Sequence, residues 1–327
     1  MSTQLSVARE SFPIQGSFAI SRGRKTSSEV VLVELVRDGQ RGRGECVPYA
    51  RYGESIESVI EAIESIRGQL QSDIDCEQLQ QLLPAGAARN AVDCALWDLR
   101  AKLAGERVWT LAGVAAPVAE ITAYTLSLEA PEKMHEAAIA HAARPLLKMK
   151  LAGDGDVERV AAVVQGAPEA TIIVDANEGW TIDQYHEMVP QLAELGVAMI
   201  EQPLPAGEDQ ALEHIDRPIP ICADESCHDC ATLTGLRGRY DMVNIKLDKT
   251  GGLTEALQLR QSAVDSGFDV MVGCMVATSL AMAPATVVAS GAKVVDLDGP
   301  LLLAEDRQPA LDYSHYRVAA PAPELWG

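Results

Sequence analysis

Six ionisable side chains sit at the carboxyl ends of short apolar runs and could do chemistry together. Lys150 ends LLKMK, Asp175 ends TIIVD, Glu201 lies in AMIEQP, Asp224 in PICADE, Lys246 in MVNIKL and Asp296 in VVDLDG. Their separations are 25, 26, 23, 22 and 50 residues, the last covering two steps with the uncharged run DVMVGC between. Asp175, Glu201 and Asp224 offer three hard oxygen ligands from consecutive runs, a set that suits Mg²⁺ with its remaining positions left for water or substrate. No histidine joins them, which disfavours zinc. A lone strand-end acid more often caps the next helix; three in successive units, flanked by lysines, point to a shared metal.

Lys148 and Lys150 share one strand face because side chains alternate with period two. Neighbouring ammonium groups lower each other's pKa, a dication adds to the effect, and a lysine so placed can act as a base. Lys246 lies four strands further on, the opposite side of an eight-stranded ring. Two lysines facing each other across a metal could remove a proton from one face of a carbon and return one to the other, as a racemase or epimerase does. The ordinary role of such a lysine is a solvated rim charge, and the opposed placement argues against it. Asp296 and Asp298, two apart at the last strand end, point the same way and can hold a cation together. Thr125 and Cys274 are single strand-end residues that, taken alone, read as packing.

The elements that must position these groups follow from the spacing. A strand, a helix and two loops occupy about this many residues, so the rhythm predicts a (β/α) repeat. From Ile121 onward eight strand-like runs follow: ITAYTLSL, LLKMKL, TIIVDA, AMIEQP, PICAD, MVNIKL, DVMVGC and VVDLDG. PEKMHEAAIAHAA, IDQYHEMVPQLAELG and LTEALQLRQSAVDSG read as helices between them. Eight strands make an α/β barrel, with the chemistry at the carboxyl ends.

The first part differs: SEVVLVELVRDGQRGRGECV predicts a hairpin turning at Asp38-Gly39, and helices follow over SIESVIEAIESIRGQL and from Ala91 to a stop at Gly105. Expected boundaries are residues 1–117 for this α+β unit, 118–304 for the barrel, and 305–327 for a Pro- and Ala-rich tail that could return to the first unit. The uncharged stretch from Val270 to Ala292 is long enough to span a bilayer. Its breaks at Gly273 and Pro284 predict a buried strand and helix instead.

Composition narrows the function classes. The 327 residues are 47% apolar and carry 47 acidic against 27 basic side chains, net −20, which argues against nucleic acid or an anionic membrane as partner. Seven scattered cysteines fit reduced thiols in the cytoplasm, and no signal peptide opens the chain. Cys227 and Cys230 form a lone CxxC, at most half a zinc site, and carry no function.

KMK, VDAN, IEQP, ADES and NIKLDKTGG resemble the signatures of the enolase superfamily, muconate-lactonizing subgroup. PAGAARNAVDCALWDL and VNIKLDKTGGLTEAL are similar to bacterial dipeptide epimerases, with the likeness running from about Phe18 to Leu311. The resemblance implies a modified TIM-type (β/α)7β barrel with an N-terminal α+β capping domain. It also implies Mg²⁺ on Asp175, Glu201 and Asp224, bases at Lys150 and Lys246, and Lys148 supporting the first base and the substrate carboxylate. The implied reaction is two-base epimerisation of L-Ala-D/L-Glu through an enediolate, as in recycling of murein peptides. Asp296 and Asp298 would bind the substrate's α-ammonium, which a muconate or succinylbenzoate lacks, and Thr125 and Cys274 would contact substrate.

The chain departs from the family in ISRGRKTSSE, the implied lid loop that meets the glutamate side chain. Lys25 stands where an arginine is expected, with Arg24 beside it and Arg22 just before. Either Arg24 takes the carboxylate or Lys25 does so with looser specificity, since lysine makes a point contact where arginine grips with two. CVPYARYGES looks like the second lid loop. The alternatives are an epimerase for other dipeptides, a cycloisomerase, and a non-catalytic barrel that binds a metal or carboxylate. A homo-oligomer is compatible with the sequence.

Overall fold

The computed structural model describes residues 2–72 and 74–327. Strands β1 (Gln4–Ile20), β2 (Gly23–Arg37) and β3 (Gln40–Cys46) form an antiparallel sheet in that order. The tight turn between β2 and β3 falls at Asp38 and Gly39, with φ of 50° and 77°, as the dipeptide predicts. β1 carries no clean alternation, and its pairing with β2 shifts register between Pro13 and Phe18.

Four helices cover one face of this sheet: α1 (Ile56–Ser65), α2 (Arg67–Gln71), α3 (Cys76–Leu82) and α4 (Ala87–Ala104). The apolar spacing from Ser55 predicts one helix, whereas the chain breaks it at Ile66. α4 ends at Gly105 in the left-handed conformation, the usual helix stop. It lies so close to β3 that a Cβ on Gly44 would come within 2.0 Å of the Ala91 carbonyl oxygen. Only glycine admits that approach, and the resulting layer buries Val31, Val33, Leu35, Ile63, Leu79, Ala91 and Leu99.

After α5 (Val108–Leu111) and β4 (Glu120–Ile121) come β5 (Tyr124–Leu126), β6 (Leu146–Lys150), β7 (Thr171–Asp175), β8 (Met199–Glu201), β9 (Ile221–Ala223), β10 (Met242–Ile245), β11 (Asp269–Val272) and β12 (Val294–Val295). β5 to β12 make one eight-stranded parallel sheet in sequence order. Its two edges meet where Ala123 N–H donates to Val295 O at 2.8 Å, which closes the barrel. The run ITAYTLSL is therefore not one strand: β4 leaves the barrel to pair antiparallel with β13 (Arg317–Val318) from the tail.

Helices α6 (Pro131–Ala140), α7 (Asp156–Gly166), α8 (Ile182–Glu194), α9 (Leu247–Thr250), α10 (Leu253–Asp265) and α11 (Ser279–Ala289) lie in the connections. The β8–β9 and β9–β10 connections hold only 3₁₀ segments, Asp209–His214 and Leu233–Leu236. The one-helix-per-step expectation fails at these two steps, and length alone is not the reason, since the β5–β6 connection (127–145) holds α6 and is as long as the β8–β9 connection (202–220). The uncharged stretch divides into β11 and α11, and among the described residues no helix is long and apolar enough to cross a membrane.

Inside the barrel, Ala123, Ile173, Met199, Cys222, Met242 and Met271 form a separate apolar plug. Ile173, Met199 and Cys222 each precede one of the three acids by two residues, so the same alternation that fills the plug aims Asp175, Glu201 and Asp224 into the space above it. The tail runs back along the first sheet and α4: Trp326 is buried with its indole N–H on Cys94 O, and the Gly327 amide donates to Asp98.

Asp248, at the start of α9, joins the barrel to the first unit by accepting from the Val47 amide (3.0 Å) and Asn90 Nδ2 (2.8 Å). Burial pushes its carboxyl up to about 7. A carboxyl whose pKa is higher folded than unfolded favours folding when protonated, so this contribution is lost as pH rises from about 4 through 7. Asp248→Asn keeps the acceptor oxygen and removes the charge. Thermal melts should therefore show the variant gaining on wild type at pH 8, by about 2 °C or more per kcal/mol relieved, and gaining nothing at pH 5; an equal shift at both pH values would refute the charge account.

Candidate active site

Asp175, Glu201 and Asp224 are fully or almost fully buried, and one oxygen from each can be chosen so that all three lie within 4.8 Å of one another. The parallel register sets this directly, since Lys150 pairs with Asp175 and Asp175 with Glu201 on adjacent strands. None of the three caps a helix; the observed N-caps nearby are Gly155 and Thr181.

Each carboxylate has one oxygen fixed from behind. Asp175 Oδ1 accepts the Asn177 amide at 2.9 Å, Glu201 Oε1 accepts Asn244 Nδ2 at 2.7 Å, and Asp224 Oδ1 accepts Lys249 Nζ at 2.6 Å. The other oxygens meet lysines. Lys150 donates to Asp175 Oδ2 and Lys246 to Asp224 Oδ2, both at 2.6 Å. Lys148 Nζ lies 2.6 Å from Glu201 Oε2 without the alignment of a hydrogen bond, so that this buried oxygen has no hydrogen-bond partner. Three converging carboxylates, one with a buried oxygen that meets an ammonium but accepts no hydrogen bond, fit a hard divalent cation such as Mg²⁺.

At Lys148 the electrostatics run opposite to the lowering expected from a neighbouring ammonium. Burial alone lowers the Lys148 pKa, but Asp296, Glu201 and Asp175 outweigh it and hold the ammonium well above its usual value. Lys246 is likewise held up, chiefly by Asp224 and Glu201 against burial. Carboxylates, not the second ammonium, are each lysine's nearest charges. Glu201 is raised to about 6 by burial and by Asp175 beside it, while Lys246 and Lys249 keep Asp224 well below the carboxylate range despite its burial.

On the last strand ends, Asp296 Oδ2 accepts from Lys148 at 2.7 Å while its Oδ1 is buried and unpaired. Asp298 Oδ2 accepts the Thr125 amide at 2.6 Å, and burial together with Asp296 lifts its carboxyl to about 7. Lys148, Lys150, Asp224, Lys246, Asp296, Asp298 and Thr125, with Cys274, line one cavity of about 520 Å³ roofed by Arg22, Gly23, Arg24 and Lys25 from the β1–β2 hairpin end and by Tyr49 to Tyr52. Cys274 is half-buried there, and burial pushes its thiol well up.

The lid cations differ. Arg24 is half-exposed and already paired, with Glu129 at 2.5 Å and Ser17 at 2.6 Å. Lys25 makes no ion pair among the described residues, lies over the Tyr49 ring at 5.7 Å, and has its pKa lowered by burial. It is the lid cation free to meet an anion.

Asn177, Asn244 and Lys249 were not singled out from the sequence. Asn244 carried a usable signal, being two residues before Lys246 on the same strand and hence on the same face. Lys249 carried none, because one short turn of α9 swings it back under Asp224.

A cap above a parallel barrel, with three acids and flanking lysines at the strand ends, defines the enolase class of proteins. Residues 132–322 match the enolase C-terminal domain-like family and residues 2–113 the mandelate racemase/muconate lactonizing enzyme N-terminal domain, and the chain belongs to this superfamily. It is 48% identical to the L-Ala-D/L-Glu epimerase of Escherichia coli K12 over 310 residues, covering 94% of this chain and 97% of that one. It is 47% identical to an N-acetyl-D-glutamate racemase of a Pseudoalteromonas species, over 91% of this chain and 95% of that one. A solved structure of an Agrobacterium tumefaciens enolase family member with bound sodium and L-Ala-L-Glu superposes with a TM-score of 0.97 at 51% identity, over 99% and 100% of the two chains.

Proposed function

We propose that this protein is a Mg²⁺-dependent dipeptide epimerase that interconverts L-Ala-D-Glu and L-Ala-L-Glu by two-base proton transfer. The observation that carries the reading is the placement of Lys150 and Lys246 four strands apart on opposite flanks of the carboxylate triad. Bound by Asp175, Glu201 and Asp224, Mg²⁺ would stabilise the negative charge that develops on the substrate's carboxylate oxygens. Lys148, charged and buried, holds that same carboxylate. With a dication on the triad, Asp224 and Glu201 would no longer hold Lys246 charged. One of Lys150 and Lys246, as the neutral amine, then takes the α-proton, leaving an enediolate flanked by Lys148, and the other, as the ammonium, returns a proton to the opposite face.

Asp296 and Asp298 take the ammonium of the first residue, Thr125 and Cys274 line its path, and Lys25 rather than Arg24 meets the glutamate carboxylate. Seven free cysteines suit a cytoplasmic enzyme, and recycling of murein peptides would supply this substrate.

The second reading, racemisation of an N-acylated glutamate, has a relative at 47% identity behind it. The unpaired buried oxygen of Asp296 favours the dipeptide, since an N-acyl group brings no cation to satisfy it. Deuterium incorporation at the α-carbon, followed by NMR, decides between them across L-Ala-D-Glu, L-Ala-L-Glu, L-Ala-L-Leu and N-acetyl-D-glutamate. Turnover of the N-acyl compound without the dipeptides would overturn the proposal. Lys25→Ala should lower kcat/KM about tenfold or more for the glutamate dipeptides and leave the leucine dipeptide unchanged.

A further inference from the structure

Beyond the groups that would touch substrate, one barrel carboxylate holds both lid loops at once. Glu178 follows β7 by three residues, and its side chain is 9% exposed. Arg51, from the second loop, grips it with two hydrogen bonds, Nε to Oε2 at 2.8 Å and Nη2 to Oε1 at 2.7 Å. Arg22, from the first loop, donates to the same Oε2 at 3.1 Å. Arg22 also donates to Asn177 O, to Tyr49 OH of the second loop, and to Glu225.

The catch itself is rigidly presented. Asn177 and Glu178 are consecutive non-glycine residues with φ of 47° and 64°, a costly conformation that persists only where the surroundings enforce it. The Glu178 amide donates to Gln202 O, and Glu178 Oε1 accepts the Ala206 amide, so the segment after β8 fixes it from below. Burial raises the Glu178 pKa, but Arg51, the Ala206 amide and Arg22 together bring it below the usual value, so the catch stays charged. By contrast, the ion pair of Arg24 with Glu129 has side chains 50% and 40% exposed, a setting in which ion pairs contribute little.

We propose that Glu178 is the shared catch on which both lid loops close, a positioning residue that couples the loop carrying Lys25 to the loop carrying Tyr52. Its effect on turnover rests on the dipeptide reading above, whereas the coupling of the loops does not. Closure over the cavity then requires Arg22 and Arg51 to find one carboxylate, which aligns the two halves of the roof.

Hydrogen exchange of the full-length protein without substrate tests this, read at residues 20–25 and 49–53. Glu178→Gln is expected to speed exchange in the second loop at least about fivefold and measurably in the first, which retains Glu225. Glu129→Gln should leave the second loop as in wild type. Arg51→Ala, which does not disturb the barrel, should loosen the second loop as much as Glu178→Gln, and combining the two should add nothing further. With L-Ala-D-Glu, Glu178→Gln should raise KM about tenfold with kcat within about threefold. Unchanged exchange in the second loop, loosening of that loop alone, or a parallel fall in kcat with a lowered melting temperature would overturn the shared catch. Absence of dipeptide turnover in wild type would instead strike the functional reading and leave the exchange result standing.

Discussion

In deuterated buffer, Lys150→Ala is expected to lose epimerisation by about 10³-fold or more while still washing deuterium into one of the two epimers. The epimer whose α-proton faces Lys246 can still be deprotonated, and the deuteron then returns from the same side with retention. Lys246→Ala should show the mirror result, exchanging only the other epimer. The basis is geometric: Lys150 sits on Asp175 and Lys246 on Asp224, so neither can reach round the triad to replace the other. NMR of the α-position with each pure epimer reads both effects in one experiment. If both variants still exchange both epimers, the two-base assignment fails; if neither exchanges any, the site is not organised as described.

The second large effect concerns the triad. Glu201→Gln should weaken Mg²⁺ binding at least about 100-fold and abolish activity, because it removes the central charge and the one oxygen without a hydrogen-bond partner. Titration calorimetry measures the affinity without reference to turnover. Saturating Mg²⁺ should raise the wild-type melting temperature, with stabilisation of about 2.7 kcal/mol at 100 times the dissociation constant, and leave the variant unmoved. Without metal the order reverses. Burial and the neighbouring Asp175 make the Glu201 charge costly, so the metal-free variant should melt no lower than metal-free wild type. A chelator should likewise remove wild-type activity and added Mg²⁺ restore it. Equal metal affinity in the two proteins would place the cation elsewhere.

Much of the barrel was legible because its signal is local. Most barrel strands are short apolar runs closed by a polar or charged residue, and the same period of two that places Ile173, Met199 and Cys222 in the plug places the acids above it. The hairpin at Asp38-Gly39 and the end of α4 at Gly105 were legible for the same reason, since a positive φ is a demand on single residues. The division of ITAYTLSL was not, because Ile121 is claimed by Arg317, almost 200 positions away. Nor were the two 3₁₀ connections, since a connection as long as the first of them holds α6.

At the site the division follows the same line. Residue type and spacing alone determined which side chains converge: three acids, two opposed lysines, and a pair of aspartates two residues apart. Period-two alternation and barrel register leave those groups nowhere else to point. Only the tertiary structure decided their partners and charge states. Lys148 is held charged by Asp296 and Glu201, which come from strands far apart in sequence, and Lys249 reaches Asp224 from a turn that no periodicity reports. It also decided between the lid cations, pairing Arg24 with Glu129 and leaving Lys25 free, because electrostatic pairing depends on distances of a few ångströms that the order of residues does not contain.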